Sequence, residues 1–162
     1  MPIPDGYNTF PIVSLIDSLN LNAPNYLSVP ITLAALTTGT VATHELLTVT
    51  GMVRLRILAE CTVNVAGTGS IQLGIAGVTD AFIAVTAGTS IVDGEVWVDA
   101  TPTETSGDTS TLLLDKIVAG GLDVGYEVTL GTLTGGAITF HCWWEPLNST
   151  GAVVASDGLG AL

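Results

Sequence analysis

From Thr40 onward the chain is a succession of short runs rich in Val, Ile, Thr and aromatic residues, each closed by Gly, Asp or Ser, with strand starts mostly near ten residues apart. That rhythm belongs to antiparallel sandwiches and barrels, and no long amphipathic helix competes with it. Strands are predicted near 42–50, 52–65, 70–76, 81–86, 91–99, 111–118, 124–131 and 136–145. The segments GTGS at 67–70, GVTD at 77–80, AGTS at 87–90 and TGG at 134–136 read as the turns between them. The fold class expected is all-β, an antiparallel, jelly-roll-like β-sandwich.

Alternation assigns the two faces of each strand. Arg54 and Arg56 share one face while Leu55 and Ile57 share the other; Ile71, Leu73 and Ile75 alternate with Gln72 and Gly74; Val96 and Val98 lie opposite Trp97 and Asp99. A slip of one residue would reverse every face, so the register is well specified.

Two flanking regions lack this pattern. Residues 1–38 hold five of the seven prolines (Pro2, Pro4, Pro11, Pro24 and Pro30) and are expected to form an extended arm, because proline disrupts helix interiors and sheet ladders. Apolar residues between 12 and 21 suit a short helix or an irregular arm, docked either on its own domain or on a neighbouring subunit. Residues 39–147 then form the sandwich domain. Residues 148–162 form a tail of small residues, either loose or pinned to a neighbour through Val153, Val154 and Leu162. The longest polar stretch, 100–111, reads as an exposed loop.

The surface chemistry is unusual. The mean hydropathy is +0.60, and only 11% of residues are charged, where about a quarter is typical of a soluble domain. Thr, Ser, Asn and Gly take the place of charge, which suits a protein packed against copies of itself or a larger assembly. At 162 residues the chain is one domain with a substantial core. Its net charge of -12, with Arg54, Arg56 and Lys116 as the whole basic inventory, excludes nucleic acid and anionic lipid as partners. No stretch reaches the roughly 18 apolar residues of a membrane span. The start MPIPDGYNTFPIV has no basic segment followed by an apolar one, so a cytoplasmic origin is expected.

Chemistry-bearing residues are few. His44 and Glu45, and likewise His141 and Cys142, are neighbours on strands and point to opposite faces, so they read as structural rather than as a metal or acid–base pair. Cys61 and Cys142 lack metal-site spacing and read as buried small apolar residues, with a cross-strand disulfide as the alternative. No nucleophile elbow or phosphate loop is present, so no catalytic, cofactor-binding or metal-binding residue is assigned and the chain is expected not to be an enzyme. The candidates are interface residues. Phe10, Ile12, Val13, Leu15, Ile16, Leu19 and Tyr26 lie in the arm. Arg54 and Arg56 suit either intrachain pairing or a subunit contact. Trp143 and Trp144 face opposite sides of one strand, so one enters the core and the other faces outward, for subunit packing or for stacking on a sugar.

The layout of a Pro-rich arm (MPIPDGYNTFPIV), a compact Thr/Gly/Val β-domain, a strand ending in HCWWEPLNSTGAV and a small-residue tail resembles accessory virion proteins of tailed bacteriophages, of the capsid-decoration or head-stabilising type. The resemblance implies a β-sandwich, often trimeric, on the outside of the capsid. The arm would contact the major capsid protein or another virion protein, and the protein would be located on the virion after assembly in the host cytoplasm. A carbohydrate- or receptor-binding β-sandwich module, including a tail or fibre component, is the alternative expectation.

Overall fold

The structure, a computed structural model, describes residues 24–104 and 115–156. The strands are β1 (Asn25–Thr32), β2 (Thr43–Thr50), β3 (Met52–Gly67), β4 (Ser70–Ile75), β5 (Val78–Ala87), β6 (Glu95–Trp97), β7 (Thr103–Glu104), β8 (Lys116–Ala119), β9 (Val124–Thr129), β10 (Leu133–Pro146) and β11 (Ala152–Ala155). One 3-10 turn, Gly88–Ser90, follows β5. The strands form a six-stranded sheet in the order β1-β10-β3-β6-β7, with β8 beside β6 on the same edge of β3, and a five-stranded sheet in the order β11-β2-β9-β4-β5.

The connectivity is that of one long hairpin rolled up. Pairing runs β1 with β10, β2 with β9, β3 with β6 and β8, and β4 with β5, all antiparallel. Rolling brings β10 against β3 and β9 against β4, so that the hairpin closes into two stacked sheets. This is the jelly roll expected from the sequence.

Alternation supplies the core between the sheets. Val53, Leu55, Ile57, Ala59 and Cys61 of β3 point inward and are buried, as are Ile138, Phe140 and Cys142 of β10. They meet Leu47, Val49, Ile71, Leu73, Val124 and Val128 from the other sheet. A row of rings crosses this layer. Trp97 meets Phe140 edge-on at 6.3 Å, Phe140 stacks on Tyr126 at 6.3 Å, and Tyr126 stacks on His44 at 4.9 Å. Most of their polar atoms are paired inside: Trp97 Nε1–H donates to Thr86 Oγ1 at 2.9 Å, the Tyr126 hydroxyl to the Thr38 carbonyl at 3.0 Å, and His44 Nε2–H to the Thr40 carbonyl at 3.1 Å, while His44 Nδ1 is buried without a partner among the described residues.

Several boundaries differ from the sequence reading, each for a local reason. Asn25–Thr32, read as part of the arm, is a strand of the domain. It lies at the end of its sheet, where a ladder is needed on one side only and Pro30 is tolerated. Over this stretch the chain docks on its own domain. Ala152–Ala155, read as unpatterned tail, extends the other sheet along β2; four residues are too few to show alternation. The expected turn at 134–136 lies inside β10, where register shifts at Gly135 and Ala137 absorb the glycines. Of 91–99 only Glu95–Trp97 is strand, because the chain folds back through Ile91 N–H to Gly88 O and Glu95 N–H to Val92 O. The segments 1–23, with Phe10, Ile12, Val13, Leu15, Ile16 and Leu19, and also 105–114 and 157–162, lie outside the described residues.

The passage from β2 to β3 takes one residue. Gly51, at φ 63°, turns the chain between sheets, and a Cβ there would lie 2.5 Å from the Thr150 carbonyl carbon. Gly51→Ala is expected to cost about 1–3 kcal/mol in urea unfolding. Both cysteines are buried as free thiols, and burial raises both pKa values, that of Cys142 to about 12. Both thiols are therefore expected to resist a thiol reagent until the protein unfolds. The sign for stability follows from the same shift. The unfolded chain loses its thiol proton near pH 9 and the folded one near pH 12, so stability present below pH 9 is lost progressively above it. Melting temperatures between pH 8 and 11 check this, and Cys142→Ala should flatten the decline.

Candidate functional site

The outer face of the six-stranded sheet carries most of the chemistry-bearing side chains, because alternation on β3 and β10 turns Arg54, Arg56 and Glu60, and His141, Trp143 and Glu145, away from the core. Register then arranges them in rows. Tyr26 pairs with Trp143, Trp143 with Arg56, and one step along, Glu145 pairs with Arg54. Arg54 in turn stands opposite Ile117 of β8, which brings Asp115 alongside Arg56.

Three rings form a triangle on this face, across β1 and β10. Centroid distances are 5.5 Å for Tyr26 and Trp143, 6.1 Å for Tyr26 and His141, and 6.3 Å for His141 and Trp143. A hydrogen-bonded chain runs through it: the Tyr26 hydroxyl donates to His141 Nδ1 at 2.6 Å, and His141 Nε2–H donates to Glu60 Oε2 at 3.1 Å. The carboxylate accepts only, which assigns the neutral imidazole proton to Nε2 and makes Nδ1 the acceptor.

Beside the rings lies an open groove of about 470 Å³, lined by Pro24, Arg54, Arg56, Asp115, Trp143, Trp144 and Glu145. Arg54 donates to Glu145, and Arg56 Nε–H donates to Asp115 Oδ1 at 2.8 Å. The hydrogen bond and charge of Glu145 raise the pKa of the Arg54 guanidinium further. All four charged side chains are about one-third to one-half exposed. The groove therefore holds two cations and two anions, each cation fixed by a carboxylate.

Of the residues singled out from sequence, Tyr26, Arg54, Arg56 and Trp143 are brought together on this one face, with the two arginines paired within the chain. Trp144 points the other way and packs against the core, as expected for one indole of the pair, while also forming part of the groove wall. His141, Glu60, Asp115 and Glu145 were not selected. The alternation of His141, Trp143 and Glu145 was a readable signal for three residues on one face, whereas Asp115 and Glu60 depend on pairings between distant segments. Glu60, on the same strand face as the two arginines, bonds His141. Neither family models, nor characterised proteins, nor solved structures show a match to this chain.

Exposed ion pairs contribute little to folding, since solvent screens them and ordering long side chains costs entropy. Arg54→Gln and Arg56→Gln, singly or together, are expected to leave the melting temperature within a few degrees of wild type. Thermal denaturation followed by circular dichroism checks this, and retention of the fold makes these variants usable in binding experiments.

Proposed function

We propose that this protein is a non-enzymatic structural component of a viral particle, a capsid decoration protein of a tailed bacteriophage whose copies associate as a trimer and bind the outer capsid lattice. The observation that carries the reading is the composition of one end of the jelly roll. Four connections meet there: 33–42, 68–69, 88–94 and 130–132. Backbone hydrogen bonds tie them together, from Leu133 N–H to Gly39 O at 2.9 Å, Thr68 N–H to Thr132 O at 3.1 Å and Gly88 N–H to Gly69 O at 2.9 Å.

In a chain of net charge -12, these four connections contain a single charged residue, Asp93, and no Lys or Arg. They present Leu36, Val41 and Leu130 to solvent at 92%, 59% and 86% exposure. Leu130 also adopts a left-handed backbone (φ 61°), unfavourable for a branched side chain. Identical acidic subunits repel one another, and an end with one carboxylate among four connections lowers that like-charge cost. Depletion of charge around exposed aliphatic side chains is the pattern of interface cores. The jelly roll is also an architecture from which capsid parts are built. Attachment at many lattice points then makes a stable coat from modest individual contacts.

Light scattering on the full chain tests the assembly. A particle three times the 16.5 kDa chain mass is expected. Leu36→Asp combined with Leu130→Asp should reduce it to the monomer mass with an unchanged circular dichroism spectrum. A wild-type monomer at high concentration would overturn the reading, and a trimer that survives both substitutions would overturn the assignment of this end.

A further inference from the structure

The groove on the outer face of the six-stranded sheet lies away from the loop end and is not used by the assembly proposed above. The geometry points to a binding site there for a neutral saccharide, stacked on Trp143 and hydrogen-bonded by the two arginine–carboxylate pairs. Three features select this ligand class.

The first is the platform. Trp143 is half-buried, held between Tyr26 on one side and Arg56 on the other by strand pairing. An indole fixed in this way offers a rigid apolar surface with a polar surround, and the C–H face of a pyranose ring packs on such a surface. The second is the supply of polar atoms. Among the described residues Arg56 meets Asp115, and Arg54 meets Glu145, through one hydrogen bond each. Among the described residues, Asp115 Oδ2, Glu145 Oε1 and the remaining guanidinium N–H groups are open to a ligand. Sugar hydroxyls donate to carboxylates and accept from guanidinium groups, so one hydroxyl can bridge both members of a pair.

The third feature is electrical neutrality. Two arginines and two carboxylates line the groove, so their formal charges cancel. A phosphate or an acidic sugar attracted by Arg54 and Arg56 would be repelled by Asp115 and Glu145, each in contact with the same guanidinium groups. A neutral polyol meets neither penalty. The volume of about 470 Å³ lies within the range of about 300–1,000 Å³ usual for small-molecule sites.

Isothermal titration calorimetry of the full-length protein with cellobiose, maltose, lactose and N,N'-diacetylchitobiose tests the site, with inorganic phosphate as the charged comparison. Saturable binding of at least one disaccharide is expected, and little effect of added salt. Trp143→Ala should weaken it by about tenfold or more, the equivalent of one lost stacking contact, while Trp143→Phe should recover most of the affinity. Combined Arg54→Gln and Arg56→Gln should weaken binding without unfolding the protein. Silence with all four disaccharides, binding unchanged in Trp143→Ala, or saturable binding of phosphate alone would overturn the assignment. None of these outcomes depends on the subunit count, so the site and the assembly stand or fall separately.

Discussion

The antiparallel register between β3 and β10 is the constraint on which both the core and the candidate site depend. These are the two longest strands, and they lie side by side within the six-stranded sheet. Because Phe140 stands opposite Ala59 and Cys142 opposite Ile57, the inner faces form one apolar layer. The same pairing places Trp143 opposite Arg56 and Glu145 opposite Arg54 on the outer face. Moving the register by one residue would put Arg54 and Arg56 on the same face as Phe140 and Cys142, so that either the arginines would be buried or the apolar row exposed. Burial of the inner row thus determines the geometry of the outer one, which has little packing of its own to hold it.

This coupling explains how much of the molecule was legible in the sequence. The central strands were readable because they alternate over many residues: Val53 to Cys61 shows the inward set and Arg54 to Glu60 the outward set. The outer segments were not. Asn25–Thr32 contains Pro30 and lies among other prolines, so its composition describes an arm; only its place at the edge of a sheet makes the strand admissible. Ala152–Ala155 is too short to carry a period and is drawn into place by the open side of β2. The candidate site divides in the same way. One-strand neighbours such as His141, Trp143 and Glu145 follow from alternation. The meeting of Tyr26 with His141 and of Arg56 with Asp115 spans 115 and 59 residues and needs the rolled hairpin.

Scarcity of positive charge gives the arrangement its physical meaning. A chain with 15 carboxylates and three basic residues has few ways to neutralise acid locally, and two of the three are spent on one face of one sheet. As stabilising pairs they are poorly placed, since both are exposed and screened. As fixed donors around an aromatic ring they are well placed, because each guanidinium is oriented by its carboxylate before any ligand arrives.

Two surfaces of the domain therefore carry little or no net charge, by different means. At the loop end, charged residues are reduced to Asp93 and aliphatic side chains project; in the groove of the outer sheet face, charges are present but cancel in pairs beside Trp143. The first arrangement suits a large dry contact, where an unpaired charge would be costly to bury. The second suits a small wet contact, where hydrogen-bonding groups must keep their partners or exchange them for a ligand's. In an acidic protein the first lowers the repulsion that two identical subunits would meet, and the second presents hydrogen-bonding groups whose charges are already balanced.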